Sequence, residues 1–138
     1  MISDTFKLRP RYGEVDQMGY VYHANYVTYC HQARNEFLRK LGLDEIELEK
    51  IHILLPVISF EIIYKKPAFY DELIMITTTV KEVPKVRLSF EFEIKNEQNI
   101  LLTKAKSTVV FADSKSRLPK TSPGFIENIF KNKLKSIA

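Results

Sequence analysis

The sequence predicts an α+β fold in which an antiparallel sheet packs on one long central helix, and three observations carry that expectation. One strong 3.6-residue apolar pattern runs over about residues 24–41. A period-2 segment precedes it, and β-branched and aromatic segments follow from His52 to about residue 113 with no helical pattern between them. Strands that succeed one another without crossover helices pair antiparallel, and the apolar face of such a sheet needs a cover.

Each element has its own pattern. Thr5 to Tyr12 sets Phe6 and Leu8 on one face and Lys7, Arg9 and Arg11 on the other, which reads as a half-exposed strand. GEVDQMGYVYHAN, bracketed by Gly13 and Gly19, reads as a loop. Tyr26, Tyr29, Cys30, Ala33, Phe37 and Leu41 then recur at three- and four-residue steps, with Gln32, Asn35, Arg39 and Lys40 largely opposite and Gly42 as a stop. A weaker pattern gives a short helix from Asp44 to Lys50. ILLPVISFEIIYKK, LIMITTTVKEV, VRLSFEFEIKN and NILLTKAKSTVVFAD read as four strands, with turns at Pro67, Pro84 and Asn96 to Asn99. Leu88, Phe90, Phe92 and Ile94 alternate with Ser89, Glu91, Glu93 and Lys95. The tail carries a short helix from Pro123 to Lys135, capped by Thr121 or Ser122.

A length of 138 residues fits one domain, 1–138. A hydrophobic share of 45%, with 28% charged residues, excludes a disordered chain. The net charge of +4 invites a nucleic-acid reading until it is located: residues 115–138 carry +5 and residues 1–114 carry −1. The excess is a basic C-terminal tail. No apolar run approaches the roughly 20 residues of a membrane span, and MISDTFKLRPRYGEVD lacks the apolar core of a secretory signal. The single cysteine cannot form an internal disulfide, so a cytoplasmic location is expected.

The densest unusual segment runs from Arg11 to Tyr26, and five of the seven tyrosines fall between positions 12 and 29. A carboxylate in a loop just before a helix can face the helix's first amides, which carry unsatisfied N–H groups and the positive dipole end. That pairing suits acyl transfer, with the amides stabilising an oxyanion while Asp16 attacks a carbonyl or deprotonates water. On spacing alone, capping of the turn or helix is the plainer reading of Asp16.

The pattern R-Y-x-E-x-D-x-x-G-x-V-Y-H-A-N-Y, followed by A-R-x-E-F-L up to Leu38, resembles the hotdog-fold acyl-CoA thioesterases, specifically the 4-hydroxybenzoyl-CoA thioesterase-like branch. Leu55-Pro56-Val57, Tyr64-Lys65-Lys66-Pro67-Ala68, Tyr70-Asp71 and Phe90-Glu91-Phe92-Glu93-Ile94 match that branch in order and spacing. The resemblance covers about residues 5–113 and turns Asp16 from a cap into the catalytic carboxylate. It implies a long helix wrapped by a curved antiparallel sheet, a homodimer joined sheet edge to sheet edge, and dimers pairing into a homotetramer. The implied activity is hydrolysis of an acyl-CoA, with Asp16 as nucleophile or general base and Gly19 letting the loop turn close to the substrate. His23 would offer its backbone amide to the thioester carbonyl, with its side chain contributing as in the branch that carries Tyr-His here. Tyr22 and Asn25 would bind substrate, Ser59 would line the acyl pocket from the partner subunit, and Lys85 and Arg87 would meet CoA phosphates, with Lys65 and Lys66 next in line. A thiolate leaves readily, so no metal or other cofactor is implied.

The sequence departs from the branch at His31, where a Glu is usual, which is expected to alter surface or subunit contacts. Glu36 reads as structural, and the Arg34 to Glu36 region as ion-paired at the subunit surface. Cys30 reads as a small core residue, because His31 points about 100° away from it and cannot serve as its base. The three histidines have no metal-site spacing. Glu14 is expected to orient the loop or face solvent. Two other readings compete with hydrolysis. A hotdog hydratase or dehydratase would use an Asp and a His together, and a non-enzymatic module would bind nucleic acid or an acidic membrane through Lys131, Lys133 and Lys135.

Overall fold

A computed structural model describes residues 1–137, with side chains through residue 134, so the last residue of the basic tail and the Lys135 side chain lie outside the described residues. The chain runs β1 (Ile2–Leu8), a 3-10 turn (Tyr12–Glu14), α1 (Asn25–Lys40), α2 (Glu45–Lys50), β2 (Ile53–Leu54) and β3 (Val57–Tyr64). It continues through β4 (Ile74–Val80), β5 (Arg87–Asn96), β6 (Leu101–Val110) and β7 (Ala112–Asp113) to α3 (Gly124–Ile137). Five strands form one antiparallel sheet in the order β1-β4-β5-β6-β3, and β2 pairs with β7 apart from it.

The expected elements are present with shifted ends. The first strand is Ile2–Leu8 rather than Thr5 to Tyr12, because Pro10 has no N–H to donate and the ladder with β4 ends at Leu8 opposite Ile74. Pro56 likewise separates β2 from β3 within what read as one strand. In β5, Leu88, Phe90, Phe92 and Ile94 are buried as the alternation requires.

α1 lies across one face of the sheet, against β4 and β1. It buries Tyr26, Tyr29, Cys30, Ala33, Arg34, Phe37 and Leu38. Phe37 meets Phe90 edge-on at 6.1 Å between centroids, and Phe90 stacks with Phe92 at 6.2 Å. Fully burying a side chain of this size contributes about 1.5–3 kcal/mol, so the stripe fixes the rotation of the helix about its axis.

Arg34 corrects an expectation. It is not at a subunit surface but in the core, 3% exposed, where its Nη2 donates to Glu45 Oε1 at 2.6 Å and its guanidinium lies 6.0 Å from the Phe90 ring. A buried cation must be paired, and the carboxylate that pairs it starts α2, so the ion pair ties α2 to α1. Glu36 pairs with Arg39 on the same helix, in keeping with a structural role. α3 buries Ile126 and Phe130. Ser122, an expected cap of that helix, instead directs its hydroxyl to the Pro84 carbonyl at 3.3 Å, while its amide donates to the Lys85 carbonyl at 2.7 Å. The tail is thereby fastened to the β4–β5 loop.

The outer strands are β1 and β3. β3 leaves Val57, Ile58, Ile63 and Tyr64 exposed along an edge that no strand of the chain pairs among the described residues. No helix among the described residues is long and apolar enough to cross a membrane.

Candidate active site

The loop before α1 is built as a small two-stranded clasp. Val15 and Val21 face each other in an antiparallel bridge, the Asp16 amide donates to the Tyr20 carbonyl at 2.8 Å, and the Gly19 amide returns to the Asp16 carbonyl at 3.0 Å. Gly19 turns the chain at φ +79°, a left-handed conformation that costs glycine nothing. The clasp is anchored to the chain after β3. Val21 N–H donates to the Ala68 carbonyl at 2.9 Å, and the Ala68 N–H donates to the buried Tyr26 hydroxyl at 3.1 Å.

The two acidic residues of the loop have different surroundings. Glu14 Oε1 accepts from the Arg11 amide at 2.7 Å and from the Tyr29 hydroxyl at 3.0 Å, and its own carbonyl accepts from Tyr22 N–H and from Asn25 Nδ2. Burial works against charge on Glu14, but the Arg11 amide, the Tyr29 hydroxyl and the Arg11 guanidinium outweigh it and hold the carboxyl below its ordinary range. Glu14 is thus a brace between loop and helix. Burial, together with Glu14, pushes the Tyr29 hydroxyl upward, keeping it a donor.

Asp16 is exposed. Its Oδ1 accepts from the Met18 amide at 2.9 Å and the Tyr20 amide at 3.2 Å, which fixes the carboxylate, while Oδ2 has no hydrogen-bond partner among the described residues. It borders an open groove of about 380 Å³ with Tyr20, Val21, His23, Tyr26, Tyr64, Lys65, Lys66 and Pro67. His23 and Ala24 form the turn that leads into α1, which begins at Asn25. The amides of Asn25 and Tyr26 are taken by the carbonyls of Tyr22 (2.9 Å) and His23 (3.3 Å). The amides of His23 and Ala24 reach no acceptor among the described residues. One held carboxylate with a free oxygen thus borders a groove that His23, at the turn into α1, also borders, and a carboxylate and unsatisfied N–H donors are the two features that suit acyl transfer to water.

The other residues singled out in the sequence distribute as follows. The Tyr22 ring lies exposed beside the His23 ring at 4.5 Å. Asn25 is half-buried and commits an amide proton to the Glu14 carbonyl. Lys65 and Lys66 border the groove, whereas Ser59 lies five residues before Tyr64 on β3, about 17 Å along an extended strand. Lys85 and Arg87 are exposed at that same far end, where Arg87 opposes Val110. Cys30 is fully buried, and burial pushes its thiol up to about 12. His31 Nε2 lies 3.2 Å from Asn35 Nδ2 and 3.8 Å from Glu45 Oε1, far from the loop chemistry. Sequence reading had no site role for Tyr64, which borders the groove and bonds the His23 carbonyl. An aromatic at the end of a strand carries no mark of such a bond.

Comparison with known proteins shows what the whole chain is similar to. The thioesterase-like superfamily matches residues 10–130. The chain is 32% identical to the acyl-CoA thioester hydrolase YbgC of Escherichia coli over 124 residues, covering 90% of this chain and 92% of that one. It is 34% identical to YneP of Bacillus subtilis over 113 residues, 82% of each chain. A solved DHNA-CoA thioesterase from Staphylococcus aureus superposes with a TM-score of 0.87 at 28% identity, covering 99% of this chain and 91% of that one. The fold is the hotdog fold.

The Glu14 brace has a pH signature. A carboxyl held below its ordinary value stabilises the native state fully above about pH 4.5, and that contribution is lost as pH falls through the lower folded-state value. Thermal melts of Glu14→Gln should therefore lie below wild type at pH 7, and the gap should close on acidification below pH 4.5. A gap that stays constant with pH would contradict the brace.

Proposed function

The chain belongs to the thioesterase-like superfamily, and we propose that it hydrolyses the thioester of an acyl-CoA with Asp16 as the catalytic carboxylate. The observation that carries the reading is the Asp16 carboxylate, held through Oδ1 and open at Oδ2, on the groove that His23 borders at the turn into α1, where the His23 and Ala24 amides have no acceptor among the described residues. With the acyl carbonyl oxygen against those amides, charge that develops on it meets two N–H donors and the positive end of α1. Oδ2 then takes a proton from water as the water oxygen bonds to the carbonyl carbon. The tetrahedral intermediate collapses by breaking the C–S bond, and the thiolate of CoA leaves and is protonated. Alternatively Oδ2 itself bonds to the carbonyl carbon and expels the thiolate, and water cleaves the resulting anhydride. Both routes use the same oxygen and the same amides.

The remaining assignments rest on a second copy of the chain. β3 is an unpaired edge with exposed Val57, Ile58 and Ile63, and a long apolar edge of this kind is a template for pairing. Antiparallel pairing of β3 with its counterpart sets the Val57 end of one strand toward the Tyr64 end of the other. Ser59 of one protomer then approaches the groove of its partner, together with the hollow of about 480 Å³ bordered by Leu54, Leu55 and Pro56. Lys85 and Arg87 travel with that end and supply positive charge for the CoA phosphates. A homodimer is the active unit on this reading, with pairing of dimers as a further step.

Two measurements test the proposal. Thiol release from a panel of acyl-CoAs should fall about 10²–10⁴-fold in Asp16→Asn, and equal rates in the two proteins would refute the role of Asp16. Replacing both Lys85 and Arg87 by Ala should raise KM for acyl-CoA, less so at high salt, and leave turnover of an acyl-pantetheine thioester unchanged because that substrate lacks the nucleotide phosphates. Equal losses on both substrates would remove the phosphate assignment.

A further inference from the structure

From the hydrogen bond between Tyr64 and the His23 carbonyl we infer that Tyr64 is a positioning residue for the oxyanion amides, acting from the edge strand on the turn that opens α1. The inference rests on the proposed hydrolysis and adds a residue to it. Tyr64 Oη donates to the His23 carbonyl oxygen at 3.0 Å. That carbonyl belongs to the peptide unit whose N–H is Ala24's, and the free His23 N–H lies on the same residue, one Cα away. Within the chain the only other donor to the His23 carbonyl is the Tyr26 amide among the described residues, at a long 3.3 Å. The turn has no side-chain cap to hold it, since no side chain bonds at the N-cap Ala24. Where a capping side chain would hold such a turn by accepting from its N–H groups, Tyr64 holds it from outside the helix by donating to its carbonyl and leaves the N–H groups unoccupied.

The bond acts in two ways. It fixes the plane of the His23–Ala24 peptide, so the Ala24 N–H is aimed before substrate arrives and needs no reorganisation as charge develops, while the His23 N–H is steadied through the Cα it shares with that peptide. Donation to the carbonyl also polarises that peptide and strengthens its N–H as a donor, the cooperativity of linked hydrogen bonds. The tyrosine is itself well placed for this. Its ring packs edge-on against Tyr26 at 5.3 Å and against the His23 ring at 6.3 Å, so the hydroxyl is delivered by a ring held on two sides. Burial, and secondarily Cys30 behind it, pushes the hydroxyl above its ordinary value, so it remains protonated and able to donate at any pH at which the enzyme would work. The alternative of a purely structural tyrosine predicts a cost in stability with turnover intact.

The test compares Tyr64→Phe, which keeps the ring and removes the hydroxyl, with Tyr64→Leu and wild type. Both kcat and KM are read on one acyl-CoA, and the His23 carbonyl carbon and Ala24 amide proton are followed by NMR. The inference predicts a fall in kcat of about tenfold in Tyr64→Phe, less than the 10²–10³-fold that loss of a whole oxyanion donor brings. KM should stay near wild type, the two NMR signals should move, and Tyr64→Leu should be at least as impaired. Wild-type kcat in Tyr64→Phe, or a change confined to KM or to melting temperature, would overturn the role of Tyr64 while leaving the hydrolase reading in place. A wild-type protein that releases no thiol from any acyl-CoA would overturn both.

Discussion

The constraint on which the rest of the structure depends is the burial of one stripe of α1 against the sheet. Tyr26, Tyr29, Cys30, Ala33, Phe37 and Leu38 can all be buried at one rotation of the helix only, since a shift of one residue turns every side chain by about 100°. The cost of exposing even two of these groups exceeds what any loop contact could return. The start of the helix is therefore placed by its middle, and the turn at His23 and Ala24 opens at a fixed point over the sheet edge. Tyr26 belongs to both systems, with its ring in the core and its hydroxyl on the Ala68 amide.

From that fixed point the loop divides its two carboxylates by surroundings. Glu14 closes the 3-10 turn on one side of Val15 and Asp16 opens the clasp on the other, so the two acids meet different partners. Glu14 turns to Tyr29 and Arg11 and is consumed in holding the loop. Asp16 is held by two backbone amides through one oxygen and keeps the other. The same side-chain chemistry thus serves once as a brace and once as a held carboxylate with an open oxygen, the group we propose as reactive. Neither assignment needs an unusual residue, only the partition of donors between them.

Much of this architecture is legible in the sequence because it is periodic. The α1 stripe and the Leu88, Phe90, Phe92, Ile94 face follow from spacing alone, and the helix start differs from the expected one by a single residue. What is not periodic was not legible. Arg34 sits on the buried stripe, where a charge would not be placed by pattern, because its partner Glu45 comes from the next helix. Ser122 has the look of a helix cap and spends its hydroxyl on a loop 38 residues earlier. Spacing left Asp16 a cap, and one of its oxygens does accept turn amides; the motif resemblance was needed to single out the other. Tyr64 was hidden because its bond crosses 41 residues and ends on a backbone carbonyl, which has no sequence identity. The residues expected around the substrate from the far end of β3, Ser59, Lys85 and Arg87, lie away from Asp16 within one chain, and sequence spacing carries no information on what an edge strand pairs with.

The central claim is that the thioester carbonyl sits between the Asp16 carboxylate and the amides that open α1. The most direct measurement is a crystal structure of the protein with a CoA ketone analogue, in which a methylene replaces the thioester sulfur and hydrolysis is blocked. The account predicts the ketone oxygen at 2.7–3.1 Å from the His23 or Ala24 nitrogen, the distance range of an oxyanion donor, with the carbonyl carbon facing Asp16 Oδ2. A well-ordered analogue whose ketone lies outside the groove of Asp16, His23 and Tyr64 would contradict it.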